Sequence, residues 1–269
     1  MRLRYAGVCA SCAVELAMGV TASWYSDERV IRCLTCAGES GQPASPGVVF
    51  AGQAGESARR EHARRTARRE QEIRRRHPRI GGLILALSED PASTRVWAQG
   101  AAGEEAVGSV LDGLAPEYLH ALHDRRMRDG DGRLTRANID HIAVTASGVW
   151  VVDAKTHRGG LEVRRSGGLF GPRRERLFIR GRDQTDLVLG LAKQVAVVRV
   201  QLEALTAGMP VRGALCFVGT ELPLFGETIG DVPLVGRRGL AKLVKRAGPL
   251  PADYRARVAD MLNRRFPPR

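Results

Sequence analysis

The segment NIDHIAVTASGVWVVDAK, residues 138–155, contains two β-rich runs separated by a Ser-Gly pair. Runs of this kind around such a pair predict a β-hairpin that turns at Ser147 and Gly148. Side chains alternate between the two faces of a strand, so Asp153 and Lys155 share one face. We therefore expect a buried hairpin whose open end carries charged residues.

Three charged side chains converge at the open end of this hairpin. A two-residue turn at the Ser-Gly pair places Asp140 opposite Lys155 and diagonal to Asp153, all on one face. A loop of odd length without a bulge would turn Asp140 to the other face. Burying two carboxylates and a lysine is costly unless they hold a cation, so the sequence predicts a metal-binding site here. A plain Asp140–Lys155 ion pair is the alternative, but it leaves Asp153 without a partner.

Composition and charge point to an anionic partner. Hydrophobic residues make up 43% of the 269-residue chain, which is enough for a core. The net charge is +13. Three segments are strongly basic: residues 56–79 carry +6, residues 158–182 carry +6 and residues 237–269 carry +8. The rest of the chain, which includes the acids of the hairpin, is therefore net negative. A negative pocket in basic surroundings suits a metal-dependent enzyme acting on phosphodiesters, with nucleic acid as its partner. A compositional bias towards Arg, Ala and Gly is the alternative source of the charge.

Several protein classes are disfavoured by motifs that the sequence lacks. It contains neither the G-x-S-x-G motif of serine hydrolases nor the H-E-x-x-H motif of zinc proteases. It also shows no charged-then-apolar signal sequence and no apolar run near the ~18 residues that a membrane span needs. We therefore expect a cytoplasmic protein that does not enter a membrane.

Four cysteines near the start of the chain have the spacing C-x2-C-x20-C-x2-C: Cys9, Cys12, Cys33 and Cys36. Two C-x2-C knuckles present four thiolates to one Zn²⁺, and this spacing is at the edge of the usual range. We expect residues 1–40 to form a zinc ribbon whose folding depends on the metal. Two disulfides or a redox-active pair are the alternatives.

Residues 41–80 combine a Gly-, Ala-, Ser- and Pro-rich linker with the arginine-rich stretch Glu56–His77. Arg60, Arg64 and Arg68 recur at intervals of four, which predicts a helix without an apolar face. Such a helix cannot pack into a core. It is either a solvated spacer or an arm that binds phosphates.

The main α/β domain is expected at residues 81–235, followed by basic helices over 236–269. Its first elements are a strand or short buried element at Ile80–Leu87, a helix from Gly100 to about Leu114, the hairpin, and short strands at Leu161–Val163 and Leu177–Ile179. A helix at Asp183–Leu205, strands at Val211–Val218 and Val232–Val235, and helices near Leu240–Arg246 and Ala252–Arg265 follow.

Two further groups of charged residues are candidates for function. Glu104 lies on the same side of its helix as Val107 and points towards the sheet, whereas Glu105 is turned away. A first-turn acid that interacts with the helix dipole is the alternative for either residue and the default for Glu105. Arg173 and Arg174 follow glycines that match no nucleotide-binding motif, and we expect them to bind nucleic acid.

Four motifs together resemble the nuclease-related domain (NERD) family: GEEAV at 103–107, ANIDHI at 137–142, SGVWVVDAK at 147–155, and Gln194 on a helix. That family is similar to the PD-(D/E)xK nuclease superfamily and its restriction-endonuclease-like α/β core, a central mixed sheet flanked by helices. The resemblance covers roughly residues 97–220. Family members often carry Glu in place of Asp153, a mild departure because either acid fits the D/E-x-K pattern.

The resemblance implies roles for six residues. Mg²⁺ (or Mn²⁺) is expected to be bound by Asp140, Asp153 and the carbonyl oxygen of Ala154, with Glu104 completing the site directly or through a water. Lys155 is expected to orient and help deprotonate the attacking water, and Gln194 to hold the lysine or the water. His141 points to the opposite strand face, so we expect it either to support the ligands from behind or to pack in the core, and not to bind the ion.

We therefore expect a Mg²⁺-dependent nuclease that hydrolyses DNA, in DNA processing or repair. The alternative is a non-catalytic nucleic-acid-binding protein that binds through the zinc ribbon and the arginine-rich helix, with the nuclease fold as scaffold.

Overall fold

The computed structural model describes residues 2–10, 15–26, 30–33, 51–80, 85, 92–129, 133–167, 174–203, 206, 208–223 and 226–269. The chain divides into two compact units: Met1–Val48 with Val198–Met209, and Val49–Val197 with Pro210–Arg269. The hairpin lies in the second unit.

The first unit contains two short β-hairpins. Its strands are β1 (Gly7–Val8), β2 (Glu15–Leu16), β3 (Ala22–Tyr25) and β4 (Val30–Cys33); β1 pairs with β2 and β3 with β4. The Cys33 amide N–H donates a hydrogen bond to Cys9 Sγ at 3.2 Å, so these two cysteines lie close together. Cys12 and Cys36 lie outside the described residues, and the zinc ribbon stays a prediction.

The second unit is built on one mixed sheet. Its strands are β5 (Leu119–Arg128), β6 (Leu134–Thr145), β7 (Gly148–Ser166), β8 (Arg174–Ile179), β9 (Arg182–Asp183), β10 (Val211–Glu221), β11 (Glu227–Ile229) and β12 (Val232–Gly236). The sheet has the order β11-β12-β10-β7-β6-β5, with β8 and β9 extending from β7. β5, β6 and β7 are successively antiparallel, whereas β10 is parallel to both β7 and β12.

Helices cover both faces of this sheet. They are α1 (Glu56–Arg76), α2 (Ala92–Asp112), α3 (Asp186–Glu203), α4 (Arg237–Val244) and α5 (Ala252–Arg265). Residues of α2 and α4 form one core cluster with Trp150 and Val152. On the other face α3 lies close to β10, because a Cβ on Gly213 would be 2.8 Å from Leu191. The predicted α/β architecture, a mixed sheet flanked by helices, is confirmed.

Burial on both faces explains the apolar character of the central strands. β7 is completely or almost completely buried from Val149 to Val152, and so is β10 from Ala214 to Phe217. A parallel pair covered by helices on each side has no solvent-facing positions, so its sequence shows no polar alternation.

The hairpin turn lies one residue earlier than predicted, which shifts the pairing register by two residues. Thr145 pairs with Gly148, so the turn is Ala146-Ser147 and not Ser147-Gly148. The Thr145 hydroxyl supports this turn by donating to the Gly148 carbonyl oxygen at 2.9 Å. Gly148 has φ +126°, and a Cβ there would be 2.5 Å from the Pro210 carbonyl oxygen, so glycine is needed at the start of β7.

The helix predicted from Gly100 to about Leu114 begins earlier, at Ala92, and ends at Asp112. Gly103 had been interpreted as part of a helix start, but it is a packing position. A Cβ there would be 1.9 Å from Thr156 Oγ1, so glycine lets α2 approach β7. Glu105 is therefore not in the first turn, and the dipole interpretation of this residue is wrong.

The arginine-rich helix is present as α1, but it is not wholly solvated. Ser57 and Ala58 are buried, and the Ser57 amide N–H donates to Asp124 Oδ2 at 2.7 Å. Arg59 forms an ion pair with Glu105 of α2. The expectation that this helix cannot pack was wrong for its first turn, and α1 lies in the same compact unit as the sheet.

Most other elements begin or end a few residues from their predicted bounds. Helix α5 has the bounds that were predicted for it. The predicted element at Ile80–Leu87 falls outside the described residues except for Ile80, which is exposed, and Leu85. Within the described part of the chain, no helix is both long and apolar enough to cross a membrane.

Candidate active site

The charged residues of the hairpin lie where two neighbouring strands separate. The last paired residues of β6 and β7 are His141 and Val152. Before His141, β6 stays paired with β5, and after Val152, β7 stays paired with β10. Asp140 and Asp153 occupy the next position on each strand. Their carboxyl groups therefore meet at a fork in the sheet, where no ladder hydrogen bonds join the two strands.

The two-residue shift in register changes the partner of Asp140 at this fork but not the face on which its side chain lies. Asp140 lies beside Asp153 and not opposite Lys155, as the sequence had predicted. Asp140 Oδ2 accepts a hydrogen bond from the Ala154 amide N–H at 3.0 Å. Lys155 Nζ forms an ion pair with Asp153 on its own strand and lies 3.4 Å from the Ala154 carbonyl oxygen. An even shift preserves side-chain parity, so the predicted cluster still forms.

Glu104 reaches the cluster from α2. Val107 lies one helical turn after Glu104 and Leu111 lies two turns after it, so all three share one side of α2. Val107 and Leu111 are fully buried against the sheet. Its Oε2 atom is buried and has no hydrogen-bond partner among the described residues. Glu105 points instead to α1, as its ion pair with Arg59 shows. The predicted orientations of the two adjacent glutamates agree with these contacts.

Burial and, after it, the charges of neighbouring acids raise the pKa values of Asp140 and Glu104. Burial, followed by the charges of Asp153 and Glu104, raises the pKa of Asp140 well above its usual value. Burial and then the charge of Asp124 raise the pKa of Glu104 to about 7. Burial by itself lowers the pKa of Lys155, but Asp153 and Asp140 outweigh it and the net pKa is raised. The cluster therefore holds more negative charge than one lysine neutralises.

This donor set fits a divalent cation that prefers oxygen ligands. Asp140, Asp153, the Ala154 carbonyl oxygen and the unpartnered Glu104 oxygen are the available donors, and a doubly charged ion would offset the excess negative charge. Among the described residues, no three acidic, histidine or cysteine side chains already surround one point as metal ligands. Lys155 contacts the carboxylate of Asp153, so a cation would compete with this ammonium group.

Gln194 lies on α3, and its Oε1 atom is also buried without a hydrogen-bond partner in the described structure. Its predicted role, to hold Lys155 or a water, stays a prediction. A buried amide oxygen without a donor is uncommon in folded proteins, and it leaves an acceptor available for a ligand or water.

Asp124 is a neighbouring acid that the sequence analysis missed. It lies on β5 with φ +49°, an uncommon conformation for a non-glycine residue in a strand. Its Oδ1 accepts a hydrogen bond from Asn138 Nδ2 at 2.9 Å, its Oδ2 accepts the Ser57 amide N–H, and its charge raises the Glu104 pKa. The left-handed backbone that directs this carboxylate has no sequence signal at an aspartate.

The histidines form a separate buried network. His141 Nδ1 lies 2.8 Å from His123 Nδ1, and His123 Nε2 lies 2.9 Å from Asp112 Oδ1. Burial, followed by the proximity of His123, lowers the pKa of His141 well below its usual value. His141 is therefore a neutral packing residue on the strand face opposite Asp140.

The arginines predicted to bind nucleic acid differ in their surroundings. Arg60 donates to the Arg269 carbonyl oxygen and lies 3.2 Å from Glu56, and Arg64 forms a 2.8 Å ion pair with Glu61. Arg68 and Arg174 are exposed, and Arg173 lies outside the described residues. Two of the three arginines predicted on α1 therefore already have partners.

The family model of the nuclease-related domain (NERD) matches residues 99–218. This range runs from α2 to β10 and includes Glu104, Asp140, Asp153, Lys155 and Gln194, so the predicted nuclease-related domain is confirmed there. α1 and the cysteine-containing hairpins lie outside the match. No curated protein and no solved structure matches the chain.

Proposed function

We propose that this protein is a Mg²⁺-dependent nuclease that hydrolyses DNA phosphodiesters, with Mn²⁺ as an alternative ion. The observation that carries the proposal is the carboxyl cluster at the strand fork, inside the nuclease-related domain. Asp140, Asp153, the Ala154 carbonyl oxygen and Glu104 would hold the ion, in a core similar to that of PD-(D/E)xK nucleases. A Zn²⁺ ion on Cys9, Cys12, Cys33 and Cys36 would stabilise the first unit.

The residues of the cluster have separable roles in such a reaction. A bound divalent ion would polarise the phosphate and lower the pKa of a bound water. Lys155, with its raised pKa, stays an ammonium group and donates hydrogen bonds to the negative charge that develops on the phosphate. Asp153 orients this lysine through their ion pair. The unpartnered Gln194 oxygen can accept a hydrogen bond from the lysine or from a water.

The Lys155–Asp153 ion pair also favours a second candidate function. It supplies a counter-charge without any metal, which suits a nuclease fold kept as a scaffold in a non-catalytic DNA-binding protein. In that case the basic surfaces would carry the function and replacing the acids would leave it unchanged.

Cleavage assays distinguish the two. Single- and double-stranded DNA would be incubated with Mg²⁺ or Mn²⁺ and wild-type protein or an Asp140→Asn, Asp153→Asn double variant. The matched control carries Asp231→Asn and Asp253→Asn, which are exposed and outside the cluster. We expect metal-dependent cutting by wild type and control and at least a ~10³-fold loss in the double variant, since a whole charge-stabilising site is removed. Undiminished cutting by the double variant, or salt-sensitive DNA binding without cutting by wild type, would contradict the proposal.

A further inference from the structure

The strand that carries Asp153 and Lys155 continues beyond the central sheet as one arm of a β-ribbon. β10 accompanies β7 as far as Gly160, and from Leu161 onwards β7 pairs with β8, among the described strands. We define the ribbon as residues 158–166 and 174–183. At about 3.3 Å per residue, its paired part begins roughly 20 Å from Lys155.

The inner face of the ribbon is apolar, and its charges are paired. The buried side chains on this face are Leu161, Val163, Leu177 and Ile179. Arg165 forms ion pairs with Glu175 at 2.9 Å and with Glu227 of β11 at 2.6 Å. This arginine lowers the pKa of Glu227. The inner face therefore attaches the ribbon to the rest of the unit, and the charge of Arg165 is neutralised there.

The outer face is exposed and carries surplus positive charge. Five arginines on this side are exposed, and three of them have no ion pair to any described residue: Arg158, Arg164, Arg174, Arg176 and Arg180. The acids on this side are Glu162, 3.1 Å from Arg164, and Asp183, 3.6 Å from Arg176. Exposed ion pairs of this kind contribute little, about 0–1 kcal/mol, so these two arginines stay available to another anion.

The shape and composition of this face suit duplex DNA. A two-stranded β-ribbon fits the major groove, which is about 12 Å wide, and same-face side chains about 7 Å apart can follow the phosphates. Single-strand binders need aromatic side chains on which bases stack. Phe178 is the aromatic residue of the ribbon, and the Arg164 guanidinium covers its ring at 4.0 Å from the centroid.

We propose that the outer face of this ribbon binds the phosphate backbone of duplex DNA along a groove and directs the duplex to the carboxyl cluster. The second part of this inference rests on the proposed nuclease function, whereas the binding surface does not. The ribbon and the cluster share one continuous strand, so a duplex held on the ribbon lies in a fixed relation to Lys155.

Salt-dependent binding tests the surface directly. The full chain would be titrated onto a fluorescein-labelled DNA duplex in EDTA at a series of KCl concentrations, with anisotropy as readout. The variant carries Arg158→Gln, Arg164→Gln, Arg174→Gln and Arg176→Gln. Each lost phosphate contact should reduce the slope of log K against log salt by about 0.9, so we expect a total reduction of about 3–4 and at least a tenfold loss of affinity.

The matched control removes the same number of arginines at the end of α1: Arg74→Gln, Arg75→Gln, Arg76→Gln and Arg79→Gln. These residues are exposed, and the first three lie within ion-pair distance of Glu70 or Glu72. We expect the control to keep most of the wild-type slope. An unchanged slope in the ribbon variant, an equal reduction in the control, or tighter wild-type binding to the single strand than to the duplex would overturn the inference.

The cleavage and binding assays distinguish failure of the proposed nuclease function from failure of the ribbon assignment. Wild type would then cut no DNA with Mg²⁺ or Mn²⁺, yet the ribbon variant would still lose its salt slope. If wild type cuts DNA and the ribbon variant binds as wild type does, the nuclease proposal stands and the ribbon assignment is wrong. Thermal melts of both quadruple variants should match wild type, because exposed arginines contribute little to stability.

Discussion

Replacing Glu104 with Gln tests whether the carboxyl cluster destabilises the protein when no metal is bound. The pKa of Glu104 is raised from 4.5 to about 7 by burial and neighbouring acids. A group whose pKa is higher in the folded than in the unfolded state stabilises the fold below its unfolded pKa, and this contribution is lost as the pH rises through the folded pKa. A difference of this size corresponds to about 3 kcal/mol. Between pH 4.5 and about 7, wild type should therefore lose up to that much stability relative to Glu104→Gln.

The measurement is urea unfolding followed by circular dichroism, in EDTA, across this pH range for both proteins. The difference in unfolding free energy should grow with pH in favour of the variant, because the amide has no charge to bury. Saturating Mg²⁺ should narrow this difference, since an ion that binds only the folded state stabilises it by about 2.7 kcal/mol at a hundred times its Kd. The variant, with one ligand fewer, should gain less.

Glu105→Gln is the control, because it removes the adjacent carboxylate, which is half-exposed and paired with Arg59. Its effect should stay within about 1 kcal/mol. A wild-type-to-Glu104→Gln difference that is constant from pH 4.5 to pH 8 would refute the electrostatic argument about the cluster.

Three further predictions concern single elements. Lys155→Ala should abolish cleavage and leave DNA affinity nearly unchanged, as measured by gel assay and anisotropy; a variant that still cuts would exclude the proposed role of the ammonium group. Gly103→Ala should destabilise the protein by about 1–3 kcal/mol, because the new Cβ would be 1.9 Å from Thr156 Oγ1, and Thr156→Ala should recover part of the loss. Equal melting temperatures for Gly103→Ala and wild type would contradict that contact. Purified protein should contain one zinc per chain by mass spectrometry, and Cys9→Ser should lose it; metal-free wild type with ordered cysteine hairpins would disprove the zinc ribbon.

The centre of the fold could be predicted from the sequence because side chains alternate between the two faces of a strand. An even error in register therefore leaves each side chain on its predicted face. The turn was predicted one residue too late, which shifts the pairing register by two. Asp140, Asp153 and Lys155 stay on one face because this shift is even. What changed is the partner: Lys155 pairs with Asp153 on its own strand. The alternation of side chains therefore predicted which residues form the cluster. The position of the turn determines which of them pair with one another.

The remaining features depend on long-range contacts that leave no local pattern. Gly103 looked like a helix boundary because glycine is unfavourable inside helices, but here it allows close packing on Thr156. The first turn of α1 is polar, yet it is buried because Asp124, 67 residues away, accepts the Ser57 amide N–H. Neither contact can be read from the neighbouring sequence.

The charge of the cluster also gives a direct test of cation binding. In the absence of metal, Lys155 is the counter-charge nearest to Asp153. Glu104, with a pKa of about 7, takes up a proton below that pH and so lowers the negative charge of the cluster. A divalent cation would displace that proton, because ligands must be deprotonated to bind metal. Calorimetric titration with Mg²⁺ in buffers of different ionisation enthalpy should therefore show release of nearly one proton per ion at about pH 6, falling towards zero by about pH 8. Glu104→Gln should reduce the release while Glu105→Gln keeps it. Mg²⁺ binding without proton release in wild type would mean that Glu104 is not part of the cation site.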